Sequence, residues 1–269
     1  MADRDDLPLL PLIMTAPNGA RRTKADHPAL PMTIRETVED ARACFAAGAG
    51  ALHAHVRDTA GAHVLDAGLY RELLSQMRAA VPQMQVQVTT EAVGRYSPEQ
   101  QRALVRALDP EAVSVAVREM VPDGETQAAR GFYEECLNRK CAVQHIVYSD
   151  ADLERFFDLA ETGIIPGQRH QLLFVLGRHA ADQQSAPGDL EPFLETLAGR
   201  RGALAVDWAV CAFGNRETDC LVEAVRRGGK ARIGFENGLR NRDGRIAEDN
   251  ACRVRDLVLA LKAENLIPA

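Results

Sequence analysis

The chain has 269 residues, 46% of them hydrophobic and 26% charged, with a formal net charge of -6. That balance is ordinary for a globular chain and excludes a disordered or fibrous one, and the acidic excess argues against a general nucleic-acid binder. The length fits one α/β-barrel domain over 1–269, long enough to bury most of its apolar surface in one core.

The acidic start Met1-Ala2-Asp3-Arg4-Asp5-Asp6 precedes a short apolar run broken by Pro8 and Pro11, so neither a signal peptide nor a membrane span is expected. Six cysteines, Cys44, Cys136, Cys141, Cys211, Cys220 and Cys252, contain no CxxC pair, as suits reduced, packed thiols. A cytoplasmic protein without nucleic-acid or membrane partners is the expectation.

Along the chain, β-prone runs alternate with helical patterns, which marks parallel βαβ units. The first run is Leu10 to Thr15. Thr33-Ile34-Arg35-Glu36 is a capping box that opens a helix running to Gly48. A second run, Ala51 to Val56, precedes a helix near Leu69 to Val81 whose apolar face is read as Leu69, Leu73, Met77 and Ala80. After the third run, Gln85 to Thr90, Ser97-Pro98-Glu99-Gln100 opens another helix with proline at its first position. The fourth and fifth runs are Ala112 to Val117 and Ala142 to Tyr148. Ser149-Asp150-Ala151-Asp152 then caps a helix with Leu153, Phe156 and Phe157 on one face and Gly163 at its end. Runs at Gln171 to Leu176, Ala203 to Ala212 and Ala231 to Glu236 complete eight, and a last helix with Val254, Leu257, Val258 and Leu261 on one face closes the ring against the first unit.

Eight alternations predict a (β/α)8 TIM barrel. An open doubly wound sheet would carry a phosphate-binding glycine fingerprint after the first strand, and Pro17-Asn18-Gly19-Ala20 is not one. In a barrel, chemistry belongs to the carboxyl ends of the strands.

That rule selects His53-Ala54-His55. Residues two apart on a strand point to one face, with Cα atoms ~6.5 Å apart, so two neutral imidazoles can share a metal. Catalytic zinc takes about three protein ligands. Glu236, placed at the end of the eighth strand, is the natural third. On these residues alone a core histidine that only hydrogen-bonds, or a Glu236 paired with Arg232 or capping a helix, stays open.

The sequence resembles the β-keto acid cleavage enzymes over nearly its whole length. The resemblance rests on Leu30-Pro31-Met32-Thr33, on Ala46-Ala47-Gly48-Ala49 leading into His53-Ala54-His55-Val56-Arg57-Asp58, on Val88-Thr89-Thr90, on Phe174-Val175-Leu176-Gly177, and on Gly228-Gly229 leading to Arg232-Ile233-Gly234-Phe235-Glu236-Asn237. It implies a homo-oligomeric barrel that binds one divalent metal, usually zinc, through His53, His55 and Glu236. It also implies transfer between a β-keto acid and acetyl-CoA, giving acetoacetate and a new acyl-CoA. Arg232 matches the family's arginine before the metal glutamate and would pair with a catalytic carboxylate.

One departure matters. The family's aspartate base corresponds here to Asn237, and a neutral amide cannot abstract a proton. Glu91 and Glu119, after the third and fourth strands, are the nearest replacements, against the plainer reading of solvated or capping carboxylates. Acidic residues of the family's fifth strand give way to Gln144-His145-Ile146. Thr89, Thr90, Asn18 and Asn237 are expected to contact substrate, although threonine is also simply a good strand former. Arg178 and His179 share the rim. Arg21, Arg22, Lys24 and Arg216 either meet CoA phosphates or are solvated surface charges. A cationic substrate group would match Glu91 or Glu119.

Two other classes compete. Amidohydrolases also bind metal through HxH in a barrel, but on the first strand and with an aspartate after the eighth. A non-catalytic barrel that binds metal or acyl-CoA is the third reading, encouraged by Asn237.

Overall fold

The computed structural model describes residues 8–122, 125–179, 181–200 and 204–268. Eight parallel strands, β1 (Ile13–Thr15), β2 (Ala51–Ala54), β3 (Gln85–Thr89), β4 (Ala112–Ala116), β5 (Ala142–Val147), β6 (Arg169–Leu176), β7 (Ala205–Ala212) and β8 (Lys230–Ile233), close in sequence order into a barrel. Helices α1 (Ile34–Ala47), α2 (Ala67–Ala80), α3 (Pro98–Leu108), α4 (Val117–Met120), α5 (Thr126–Arg139), α6 (Asp150–Glu161), α7 (Glu191–Gly199), α8 (Glu217–Arg226) and α9 (Asn250–Ala263) surround it. The fold is the (β/α)8 barrel that the alternation predicts, and α9, whose Val254, Leu257 and Leu261 are buried, packs against α1.

Strand alternation divides the barrel wall. Leu52, Val88, Val113 and Leu172 face outward into the main apolar core beneath the helices. The register sets His53 beside Gln87, Ser114 beside Gln144, and Gln144 beside Gln171, all buried. At this level the barrel interior is therefore polar, and each of its groups needs a hydrogen-bond partner.

The helix starts follow their sequence signals. Thr33 and Glu36 form the full capping box, Gly48 closes α1 at φ 117, and Ser97 and Gln100 repeat the box at α3. Against the upward pull of partial burial, the Lys24 ammonium and the Met32 and Thr33 amides hold the Glu36 carboxyl down at about 2. Ser149 caps α6, and Gly163 follows its C-cap at φ 74. Of the apolar face expected on α2, Leu73 and Met77 are buried and Leu69 packs half-buried against the core, whereas Ala80 is exposed and Tyr70 is buried in addition. The Tyr70 hydroxyl donates to the Ala54 carbonyl at the end of β2, which draws this aromatic inward.

Several strand ends also differ. β1 begins at Ile13 rather than Leu10, because Pro11 has no N–H to donate and the Leu10 amide bonds the Asp207 carboxylate at 2.7 Å. β2 stops at Ala54, so His53 is on the strand and His55 just past it. β8 stops at Ile233, which moves Glu236 off the strand. Gly234 makes that turn at φ 150, where a Cβ would overlap the Ala16 carbonyl. Glu236 N then donates to the same carbonyl, Ala16 O, at 3.1 Å and crosses toward β1. The expected start of the seventh strand at Ala203 lies outside the described residues, as does the acidic start of the chain. All six cysteines are free thiols. Among the described residues no helix is long and apolar enough to cross a membrane.

Candidate metal centre and substrate cleft

The turn after β8 and the end of β2 bring His53, His55 and Glu236 together, with one ligand atom of each within 4.8 Å of the others. The two Nε2 atoms are 3.1 Å apart. Glu236 Oε2 lies 3.6 Å from His53 Nε2 and 3.7 Å from His55 Nε2. This oxygen is buried and accepts no hydrogen bond, whereas the other, Oε1, accepts from Arg232 Nη2 at 3.1 Å. An orphaned carboxylate oxygen facing two imidazole nitrogens is the arrangement a cation would complete, and the N2O donor set suits a divalent transition ion.

Electrostatics agree with neutral imidazoles. Burial, with Arg232 nearby, lowers His53 to about 4, and burial with His63 and His53 nearby takes His55 well below the ordinary histidine range. Neutral histidine is the form that coordinates.

Beside His53 and Glu236 opens a cleft of about 730 Å³, a volume that includes the open solvent at its mouth. Arg232 and Thr89 line it together with two of the three donors, His53 and Glu236. Arg21, Arg22 and Arg178 bring positive charge, Asn18 a buried amide, and Tyr148 and Phe213 apolar surface. Arg232 keeps Nε and Nη1 without partners, so two donors remain for a ligand. Asn18 Nδ2 donates to the carbonyls of Pro31 at 3.1 Å and His55 at 3.2 Å, which leaves its buried Oδ1 without a partner. Arg57 shapes this wall: its guanidinium donates to the carbonyls of Asn18, Gly19, Arg22 and Gly61 and fixes the loop that carries Arg21 and Arg22.

The two replacement carboxylates separate. Glu91 lines the cleft, with Oε2 3.9 Å from His55 Nδ1 and Oε1 3.9 Å from Arg178 Nη2. Burial and the nearby Glu236 charge push it up to about 7 although Arg178 pulls it down. Glu119 does not line the cleft: its Oε2 accepts from the Ala92 amide at 3.1 Å and so holds the loop behind Glu91.

The remaining expected site residues also divide. Thr89 faces the cleft, while the adjacent Thr90 points away and donates to the Ser114 carbonyl at 2.9 Å. Asn237 is fully buried outside the main cleft, and neither of its side-chain polar atoms has a partner. Arg22 donates to the Phe235 and Asn237 carbonyls. Lys24 is spent on Pro28 O, Leu30 O and Glu36, and Arg216 pairs with Asp219, so neither lines the cleft. His179 rests on Tyr148 with ring centroids 5.3 Å apart.

Sequence reading passed over His63 and Gln87, and noted Gln144 only as a departure from the family's acidic fifth strand. His63 Nδ1 is 3.4 Å from His55 Nδ1, and Gln87 Oε1 is 2.8 Å from His53 Nδ1. Gln87 was accessible in principle, since it alternates with Thr89 on β3 and must share its face. His63 was not. It returns to the site through an antiparallel bridge to Arg57, around a turn in which the Asp58 carboxylate accepts from the Ala60 and Ala62 amides.

The profile of the beta-keto acid cleavage enzyme family matches residues 11–269. The chain belongs to that family. It is 25% identical over 257 residues to a 3-keto-5-aminohexanoate cleavage enzyme of Fusobacterium nucleatum, covering 93% of this chain and 91% of that one. It is 27% identical over 257 residues to a 3-oxoadipate:acetyl-CoA acetyltransferase of Cupriavidus necator, covering 90% and 85%. Among solved structures, a ternary complex of ObcA with a C4-CoA adduct and oxalate superposes with a TM-score of 0.70 at 17% identity, over 88% of this chain. This chain spans only 65% of that longer one, and the likeness is one of fold.

Proposed function

We propose that the chain cleaves a β-keto acid with acetyl-CoA, giving acetoacetate and a new acyl-CoA, at a zinc ion held by His53, His55 and Glu236. The observation that carries this reading is the convergence of two imidazole nitrogens and an orphaned carboxylate oxygen beside an arginine-lined cleft that His53 and Glu236 line. Both named relatives act on 3-keto acids, and one is named for acetyl-CoA, which supports the substrate pair.

In this reaction the bond between the ketone carbon and the α-carbon of the β-keto acid breaks. The acyl half passes to the CoA sulfur, and the α-carbon with its carboxylate takes the acetyl group. When bound, the metal would polarise the substrate's ketone and carboxylate oxygens as a Lewis acid. The chain's own residues supply the rest. Glu91 takes the proton from the α-carbon, the task left open by Asn237, and its raised pKa suits a base near neutral pH. Arg232 directs its two free donors at a substrate oxygen. Thr89 offers a hydroxyl from the floor, and Arg21, Arg22 and Arg178 receive the anionic groups of the acid and of CoA. A cationic substrate arm is disfavoured, because Arg178 already faces Glu91 and the other cations line the same cleft.

The decisive experiment incubates the zinc-loaded protein with acetyl-CoA and a panel of β-keto acids and measures acetoacetate and acyl-CoA together. Both products should appear in equal amounts for at least one acid. Release of acid without CoA turnover would place the chain with hydrolases instead, and no turnover on any acid would favour a binding role.

A further inference from the structure

We infer that two hydrogen-bond chains, one through Gln87 and Gln144 and one through His63, set the tautomers of the metal-site histidines and turn both Nε2 lone pairs toward Glu236. This rests on the metal-site reading above and assigns positioning roles to three residues that touch no metal.

The first chain starts from a backbone carbonyl, which can only accept. Leu172 O takes a hydrogen bond from Gln144 Nε2 at 3.3 Å, so the Gln144 oxygen faces the other way. There it accepts from Gln87 Nε2 at 3.0 Å. Gln87 must then present its own oxygen to His53 Nδ1, 2.8 Å away. An imidazole that coordinates a cation carries a single N–H, and here that hydrogen is required on Nδ1. Nε2 is left as a bare lone pair. The amide orientations follow from the terminal carbonyl and not from a choice between look-alike atoms.

The second chain repeats the logic on the other ligand. Glu91 O accepts from His63 Nε2 at 3.1 Å, so a neutral His63 has no hydrogen on Nδ1. That nitrogen lies 3.4 Å from His55 Nδ1 and must be the acceptor of the pair. The Glu91 carboxylate, 3.9 Å from His55 Nδ1, is too far to compete. His55 therefore also offers a bare Nε2. The two chains leave the same end of β2 for different carbonyls, Leu172 O and Glu91 O, and reach the same result, three proton-free acceptors facing one point.

His63 does a second thing. The ring that polarises His55 also holds the backbone of Glu91, so the metal ligand and the base proposed above are registered to one another through a single side chain. Gln144 is the more telling member. It is neither one of the metal donors nor one of the residues that line the cleft, yet without it Gln87 is free to turn its amide and offer His53 a donor.

The test compares His63→Phe, His63→Gln and Gln144→Leu with the unmodified protein. Zinc affinity is measured by competition with a chromogenic chelator, and ring tautomers of the metal-free proteins by two-bond ¹H–¹⁵N correlation spectra. Phenylalanine keeps the ring volume but removes both polar atoms, whereas glutamine can still donate to Glu91 O and accept from His55. Loss of an outer partner typically weakens metal binding about 10- to 100-fold. We expect His63→Phe and Gln144→Leu to fall in that range and His63→Gln to stay within a few-fold. In the unmodified metal-free protein both His53 and His55 should show the Nδ1–H form, and Gln144→Leu should lose it at His53 alone. Equal weakening by His63→Phe and His63→Gln would reduce His63 to packing and overturn its role, as would unchanged affinity in His63→Phe. An Nε2–H form at either histidine of the unmodified protein would overturn the chain that ends there. Failure of the unmodified protein to bind zinc would instead strike the metal reading, and the tautomer spectra would still decide the chains.

Discussion

Gly19 lies directly against the Glu236 side chain. A Cβ at position 19 would stand 2.5 Å from Glu236 Cγ, and the backbone there is left-handed at φ 59. The loop after β1 thus serves as the wall on which the metal carboxylate rests, and only glycine leaves it room. Gly19→Ala should cost about 1 kcal/mol through its backbone conformation alone. The larger effect should be on the site, because a displaced Glu236 no longer faces both imidazoles. We expect zinc affinity to fall about ten-fold or more, on the scale of lost supporting contacts, with the circular dichroism spectrum unchanged. Full retention of zinc by Gly19→Ala would refute this placement of the carboxylate.

Residues like these mark where sequence reasoning stops. His53 and His55 were legible because spacing of two on a strand dictates a shared direction, and Glu236 because strand ends meet on one rim. How Glu236 reaches them was not legible, since it depends on the Gly234 turn over Ala16 and on clearance at Gly19. Glu91 and Glu119 read alike in sequence, each acidic and each following a strand. Only the structure shows one facing the cleft and the other spent on the Ala92 amide. Alternation was enough to foresee that Thr89 and Thr90 point opposite ways. For His63 no periodic signal exists, because a turn and a single bridge bring it back.

Glu91 should leave a signature in the pH profile. Its carboxyl is pushed up to about 7 by burial first and by the Glu236 charge second. A base must be ionised, so kcat/KM should rise with pH through the Glu91 pKa and level off above it. A bound divalent cation attracts the ionised form, so the midpoint should lie at or below about 7. Glu91→Gln should lower kcat about 100-fold or more, the usual scale of a lost general base, and abolish that limb while zinc remains bound. A full-size acidic limb in the Glu91→Gln protein would assign the base elsewhere.

Removing the metal should destabilise the fold. On the reading proposed above, the ligand set exists only where the fold brings His53, His55 and Glu236 together, so the metal would bind the native state in preference to the unfolded chain. At a thousand-fold excess over Kd that linkage is worth about 4 kcal/mol, or roughly 8–16 °C in Tm at about 2–4 °C per kcal/mol for a chain near this size. Dialysis against a chelator should lower Tm by several degrees, and one equivalent of zinc should restore it. His53→Ala and Glu236→Ala should purify without zinc and lose this response. Either variant holding a full equivalent would remove that residue from the ligand set.

The opposite face of the β1 loop gives a stability prediction independent of the metal. Asp40 on α1 accepts from Asn250 Nδ2 at 3.2 Å and from the Cys44 thiol at 3.6 Å, and among the described residues it forms no salt bridge. Burial pushes it up to about 7, although the bond from Asn250 pulls it down. Asn250 in turn donates to Pro17 O and accepts from Phe235 N, so Asp40 supports the clasp that joins the loops after β1 and β8. In the unfolded chain the same group titrates near the ordinary aspartate value of about 3.9. The folded state therefore holds a proton that the unfolded state releases between about pH 4 and pH 7. Its contribution is fully present below the unfolded pKa, is lost as pH rises through the folded one, and is flat above. Asp40→Asn removes the buried charge while keeping an acceptor for Asn250. Relative to the unmodified protein, the variant should gain about 1–4 kcal/mol at pH 8, at about 1.4 kcal/mol for each unit by which the folded pKa is raised, and the gain should shrink as pH falls and vanish by about pH 4. Paired thermal melts across that range measure the difference directly. A gain that stayed constant with pH would show that Asp40 is ionised in the folded protein throughout.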